Sequence, residues 1–136
     1  MRKIFVDTAA LIALGNQRDD LHEQARDIQK QLAKLSVQFV TTNLVIAEYC
    51  NAFSSIKLRH IATSTVESIF ISKRWQYIHI DENLMQQSYV LYNKMIDKSW
   101  GLVDCSSIVL AKQMQIQEIF TADHHFEQAG FEILLK

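Results

Sequence analysis

This sequence predicts an α/β protein built on a mostly parallel sheet, and three observations carry that expectation. Short, wholly apolar runs such as Ile4-Phe5-Val6 read as strands buried on both faces. Each run is followed by a longer stretch of helical apolar spacing, so strands and helices alternate along the chain. The 136 residues, 49% hydrophobic and 21% charged, are enough for one core, and no linker, repeat or low-complexity tract interrupts them. The expected architecture is a three-layer α/β/α sandwich around a four- to five-stranded sheet, a single domain over residues 1–136.

The first strand, Ile4–Val6, stops at Asp7-Thr8, an N-capping pair that opens a helical stretch over Ala9–Leu14, closed by Gly15-Asn16. Asp20 is placed to cap the next helix, about Leu21–Leu35, where Leu21, Ala25, Ile28, Leu32 and Leu35 recur at helical spacing. Gln38–Thr41 reads as the second strand. A helix then starts at Thr42 or Asn43 and carries Val45, Tyr49, Ala52, Phe53 and Ile56 on one face. A further helical segment, about Ser64–Ser72, leads to a third strand, Trp75–Ile80. Leu84, Leu91, Tyr92 and Met95 mark another helix, which Gly101 breaks. The next runs from about Leu102 to Gln115, with Val103, Leu110, Ala111 and Met114 inward. Glu118–Ala122 is a fourth strand, and a short helix follows through Ala129. Gly130 stops that helix, and Phe131–Leu135 alternates as a fifth, edge strand.

Composition excludes several function classes. The net charge of −1, from 14 Lys and Arg against 15 Asp and Glu, excludes a generic polyanion-coating protein, so any nucleic-acid contact must be local. Three glycines and no proline leave no phosphate-binding glycine loop. Cys50 and Cys105 cannot form a disulfide framework or a paired-cysteine zinc site, and both are expected as small buried groups. Met1–Val6 briefly looks like a leader, but Asp7 interrupts it, and no apolar run approaches the roughly 18 residues of a membrane span. A soluble, cytoplasmic protein is expected.

In a parallel α/β sheet, ligands bind beyond the carboxyl ends of the strands. Asp7 follows the first strand and Asp123 the fourth. Glu48 lies in the second turn of the helix after strand two, and Asp104 in the first turn after Gly101. These acids stand among apolar neighbours, as in Leu44-Val45-Ile46-Ala47-Glu48 and Leu102-Val103-Asp104-Cys105, which predicts partial desolvation. No Lys or Arg lies near Glu48, and none within the five residues that follow Asp104. Carboxylates forced together repel one another, and a hard divalent cation with oxygen ligands, Mg²⁺ or Mn²⁺, resolves the conflict. Taken singly, Asp7, Asp104 and Asp123 also fit as helix caps or first-turn dipole partners. Glu48 has no such explanation.

The segments Phe5-Val6-Asp7-Thr8, Thr41–Glu48, Trp100–Cys105 and Phe120–Phe131, in this order and over nearly the whole chain, resemble a PIN domain. The nearest subgroup is the VapC-type ribonuclease toxins of bacterial toxin–antitoxin pairs. The resemblance implies a PIN-like fold and metal-dependent endoribonuclease activity. It makes Asp7, Glu48, Asp104 and Asp123 the catalytic metal ligands, with Thr8 and Thr121 as polar supporters. It further implies RNA as substrate, Mg²⁺ or Mn²⁺ as cofactor, a cognate antitoxin as partner, and a homodimer.

Lys57 and Arg59, with His60, form the basic cluster most suited to RNA. If the helix of Glu48 persisted, Arg59 would share its face about 16 Å along the axis, although a solvated face fits as well. Adjacent histidines on a helix diverge by roughly 100°, so solvent or capping roles are expected for His124 and His125. His22, His60 and His79 read as structural. Trp75, Tyr77, Tyr89 and Tyr92 read as core or dimer surface rather than base-stacking platforms. A phosphatase with an Asp nucleophile would want a second Asp two residues after Asp7, and Ala9 stands there. A receiver-like signalling module would want a late Lys, which Thr121-Ala122-Asp123 lacks. A non-catalytic PIN-like interaction module is the remaining alternative.

Overall fold

Strand β1 (Arg2–Val6) starts with Arg2 and Lys3 and then runs apolar without alternation through Ile4, Phe5 and Val6, which are buried because helices cover both faces of the sheet. In this computed structural model, which describes residues 1–136, β1 pairs in parallel with β2 (Val37–Thr42), setting Phe5 opposite Val40. On its other side it meets β4 (Glu118–Phe120), with Val6 opposite Phe120. Outside these lie β3 (Trp75–Ile78), against β2, and β5 (Glu132–Ile133), against β4. The sheet is parallel throughout, in the order β3-β2-β1-β4-β5.

Seven helices connect the strands: α1 (Thr8–Gly15), α2 (His22–Ala33), α3 (Asn43–Ala52), α4 (Ile56–Ile71), α5 (Glu82–Lys94), α6 (Leu102–Gln113) and α7 (His125–Gln128). The chain steps outward from β1 to β3, then returns to the far side of β1 as β4. Right-handed crossovers therefore put α1–α4 on one face and α5 and α6 on the other. The packing agrees, since α1 lies against α2 and α3, and α5 against α6. One hydrophobic cluster runs through both layers, from Phe5, Tyr49 and Phe53 to Ile108, Phe120 and Phe126.

Polar groups fix several joints. Thr42 caps α3 by accepting from the Val45 N–H at 3.2 Å, and Asp81 caps α5 through Leu84 at 2.9 Å. The Arg74 guanidinium donates to the carbonyls of Leu32, Ala33, Leu35 and Val37, gathering the frayed end of α2 onto the start of β2. Gly130 ends α7 with φ +97°, a left-handed stop that favours glycine.

The structure departs from the sequence reading at several places. The helix after β2 does not reach Ile56: it ends at Ala52, and the chain turns at Ser54-Ser55 before α4 begins. Ala52 is exposed, and Ile56 is 94% exposed rather than inward. The segment expected over Ser64–Ser72 is the second half of the 16-residue α4. Asp20 does not cap α2: no side chain does, and in the turn before it the Asp19 carboxylate accepts from the Leu21 N–H at 2.9 Å. Strands β3, β4 and β5 are shorter than expected. Cys105 is buried but Cys50 is exposed. Tyr77, Tyr89 and Tyr92 are exposed, while Trp75 packs on Phe39. No helix is long and apolar enough to cross a membrane.

Candidate metal centre

The crossover direction reverses between β1 and β4, and in open α/β sheets the crevice at such a reversal is where ligands bind. Asp7 is the first residue beyond β1. Its N–H donates to the Phe120 carbonyl at 3.1 Å, so the ladder to β4 continues to the rim. Its side chain does not cap α1. Instead Oδ2 accepts from the hydroxyl of Thr121 at 2.9 Å. Thr121 is fully buried and also accepts from the Asp123 N–H at 3.1 Å, so one hydroxyl positions both acids. Asp7 is 4% exposed. Burial pushes its carboxyl from an ordinary 3.8 up to about 7; the Thr121 hydrogen bond opposes this, and the nearby charges of Asp104 and Glu48 add to it.

Glu48 approaches from α3. The buried hydroxyl of Thr8 donates to its Oε1 at 2.5 Å. Apart from that contact Glu48 is exposed, against the desolvation its apolar neighbours predicted, because its side of α3 faces the open rim. Thr41, also buried, donates to the Val6 carbonyl at 3.1 Å and ties the ends of β2 and β1 together beneath these acids.

Asp104 and Asp123 form the other half of the rim. Asp104 Oδ2 accepts from the Gly101 N–H at 3.1 Å, so the residue is a helix cap and a rim acid at once. Asp123 Oδ1 accepts from the His125 N–H at 2.9 Å. The His125 ring was missed by the sequence reading. Its Nδ1 lies 3.1 Å from Asp104 Oδ2 and 3.2 Å from Asp123 Oδ1. Ligating atoms of Asp104, Asp123 and His125 all lie within 4.8 Å of one another. His124 does turn to solvent, where it meets Glu127, because α7 begins only at His125 and the two rings leave the chain differently. The signal available in the sequence was position: His125 sits two residues past a rim acid, at the start of a helix.

The four acids thus share one rim, as two pairs joined through Asp7, Thr121 and Asp123. Neither Lys nor Arg forms an ion pair with any of them; His125 is the one basic side chain among them. Asp104 and Asp123 each spend one oxygen on a backbone N–H, and their other oxygens, Oδ1 and Oδ2 respectively, accept no hydrogen bond from the protein. Carboxylates with free oxygens and no Lys or Arg counter-charge make a donor set that fits a hard divalent cation.

Lys57 and Arg59 are elsewhere. Both are exposed on α4, and the break at Ser54-Ser55 removes Arg59 from the face of Glu48. The Arg59 guanidinium folds back to donate to the Ser54 carbonyl at 2.8 and 3.2 Å. The two largest concavities also lie away from the acids. One is lined by Lys112, Gln115, Ile116 and Phe131, the other by Ile56, Arg59, His60 and Glu67.

A family model of the PIN domain matches residues 4–132. The 23S rRNA-specific endonuclease VapC20 of Mycobacterium tuberculosis is 27% identical over 128 residues, spanning 94% of this chain and 95% of that protein. The crystal structure of M. tuberculosis VapC20, described as a Sarcin-Ricin loop cleaving toxin, matches with a TM-score of 0.83 and 25% identity, over 94% of this chain and 95% of that one. VapBC2 from Rickettsia felis, solved with a DNA fragment from their promoter, matches with a TM-score of 0.70 at 16% identity, covering 96% of each chain. FitAcB from Neisseria gonorrhoeae matches with a TM-score of 0.64 at 17% identity, covering 96% of this chain and 95% of that one. At those last two identities the likeness is one of fold.

Proposed function

The chain belongs to the PIN domain family, and on that premise we propose that it is a metal-dependent endoribonuclease acting as the toxin of a toxin–antitoxin pair. One observation carries the reading. A buried, unpaired Asp7 sits at the sheet's reversal point with Glu48, Asp104 and Asp123 around it, and no Lys or Arg neutralises them. Such an arrangement costs stability in the bare protein and favours a bound cation.

Asp7, Glu48, Asp104 and Asp123 are the proposed ligands. A bound Mg²⁺ or Mn²⁺ supplies Lewis acidity at the scissile phosphate and a water of lowered pKa. Thr121 sets the angle between Asp7 and Asp123, and the Gly101 N–H fixes Asp104. Glu48, exposed and steadied by Thr8, is placed to orient an attacking water and accept its proton. Lys57 and Arg59 remain as exposed cations for phosphate contacts outside the rim.

The similarity to VapC20 makes the sarcin–ricin loop of 23S rRNA the first substrate to test. A cognate antitoxin is proposed to cover the rim with an Arg or Lys side chain. The exposed Tyr89, Val90, Tyr92 and Ile96, on α5 and just after it, support a homodimer. The deciding experiment incubates the purified protein with that RNA in Mg²⁺ or Mn²⁺. Cleavage should stop with EDTA and leave 5′-phosphate and 3′-hydroxyl ends, without a 2′,3′-cyclic product. Asp104→Asn should lose cleavage while keeping its fold, and equal rates for the two proteins would refute the reading.

A further inference from the structure

We propose that His125 is itself a metal ligand, and that its ring nitrogen joins Asp104 and Asp123 in a mixed oxygen–nitrogen donor set that selects Mn²⁺ over Mg²⁺. The inference rests on the metal-dependent reading above and deepens it.

The geometry carries it. Nδ1 of His125 is 3.1 Å from one carboxylate oxygen and 3.2 Å from the other, and the ligating atoms of all three residues lie within 4.8 Å. In the metal-free protein these short contacts let the ring hydrogen-bond to the carboxylates, and the free Asp104 Oδ1 and Asp123 Oδ2 remain beside it; a cation held by the three side chains would take the Nδ1 lone pair in place of that proton. The ring is held for the purpose. The backbone N–H of His125 donates to Asp123 Oδ1, α7 starts at His125, and the neighbouring Phe126 is fully buried and pins α7 to the core.

Donor chemistry then sets the preference. Mg²⁺ takes oxygen ligands and water almost exclusively, whereas imidazole nitrogen binds transition metals well. Replacing one oxygen by nitrogen penalises Mg²⁺ and leaves Mn²⁺ well served. An alternative role for His125 is purely electrostatic, as a positive ring that offsets two carboxylates. That role predicts no metal–nitrogen bond and no discrimination between two divalent ions of equal charge.

The test uses the full chain and the metals alone, without RNA. Wild type, His125→Gln, His125→Asn and a His124→Gln control are titrated with Mn²⁺ and with Mg²⁺ by calorimetry. Circular dichroism checks that each is folded. Pulsed electron paramagnetic resonance of the Mn²⁺-loaded proteins reads coupling from a directly bound ¹⁴N. Wild type and His124→Gln should show that coupling, and both His125 variants should lose it. Mn²⁺ affinity should fall at least about tenfold in the His125 variants, the scale seen when supports of metal ligands are removed, with Mg²⁺ affinity changed far less. Mn²⁺ binding without ¹⁴N coupling in wild type, or equal losses for both metals, overturns this inference and leaves the nuclease reading standing. Failure of wild type to bind either metal overturns the nuclease reading itself. Should one His125 variant unfold, the other and the wild-type resonance still decide.

Discussion

Replacing Asp7 by Asn should stabilise the metal-free protein at neutral and alkaline pH. Asp7 is 4% exposed, and its carboxyl is pushed from 3.8 to about 7 chiefly by burial. At pH values between these two, the folded chain holds a proton that the unfolded chain has released. Stability is therefore fullest below the lower value, falls as pH rises through the interval, and levels off above the upper one. At 1.36 kcal/mol per pH unit, ionising Asp7 in the folded state costs about 4 kcal/mol in total, of which about 2.5 accrues between pH 5 and pH 8. Asn keeps the shape and the acceptor that Thr121 uses, and removes the charge. Urea unfolding in EDTA at pH 5 and pH 8 gives the measurement. The advantage of Asp7→Asn over wild type should widen by about 2.5 kcal/mol between the two pH values, about 8 °C in melting temperature. Adding Mn²⁺ at pH 8 should narrow it, because only the carboxylate form binds metal. A gap that stays constant with pH would show that Asp7 is ionised without penalty, and the stored negative charge at the rim would not exist.

The remaining predictions concern supports. Thr8→Val removes the hydroxyl that holds Glu48 at little change of shape, so cleavage should slow about 10–100-fold with the melting temperature nearly unchanged; an unaltered rate would deny Glu48 an oriented role. Arg74→Ala frees four carbonyls at the α2–β2 joint and should cost about 1–2 kcal/mol in urea unfolding without touching the reaction. Gly15→Ala would place a methyl 2.8 Å from the Phe53 ring and 3.0 Å from the Tyr49 hydroxyl, both deep in the core. It should destabilise by about 1–3 kcal/mol, read as a lower melting temperature.

What could be read from residues alone divides by physical cause. Asp7 and Asp104 announce themselves because a strand end and a helix start are local events, marked by Val6-Asp7-Thr8 and by Gly101. Placement of Glu48 was legible and its exposure was not, since which side of α3 faces the rim depends on α1 and β1. The break at Ser54-Ser55 was hidden by apolar spacing that continues past it from Val45 to Ile56. Without Pro or Gly, only the serine pair marked the turn, and the Arg59 contact to Ser54 that accompanies it is tertiary detail. His125 was lost because the two histidines were judged as a pair on one helix, whereas the helix starts between them.

The central pairing of β1 with β4 has a consequence for synthesis. Asp7 meets Thr121 and Phe120 across more than a hundred intervening residues, so the contacts that fix its side chain form only once β4 is made. A nascent chain carries Asp7 and Glu48 for most of its life on the ribosome, yet it lacks the strand that turns them into a site. Completion waits for β4 to be made and to insert beside β1, a long-range step that is intrinsically slow. A chain that stops short of Thr121 carries Asp7 without the hydroxyl that positions it and without Asp123, so the rim of four acids cannot assemble.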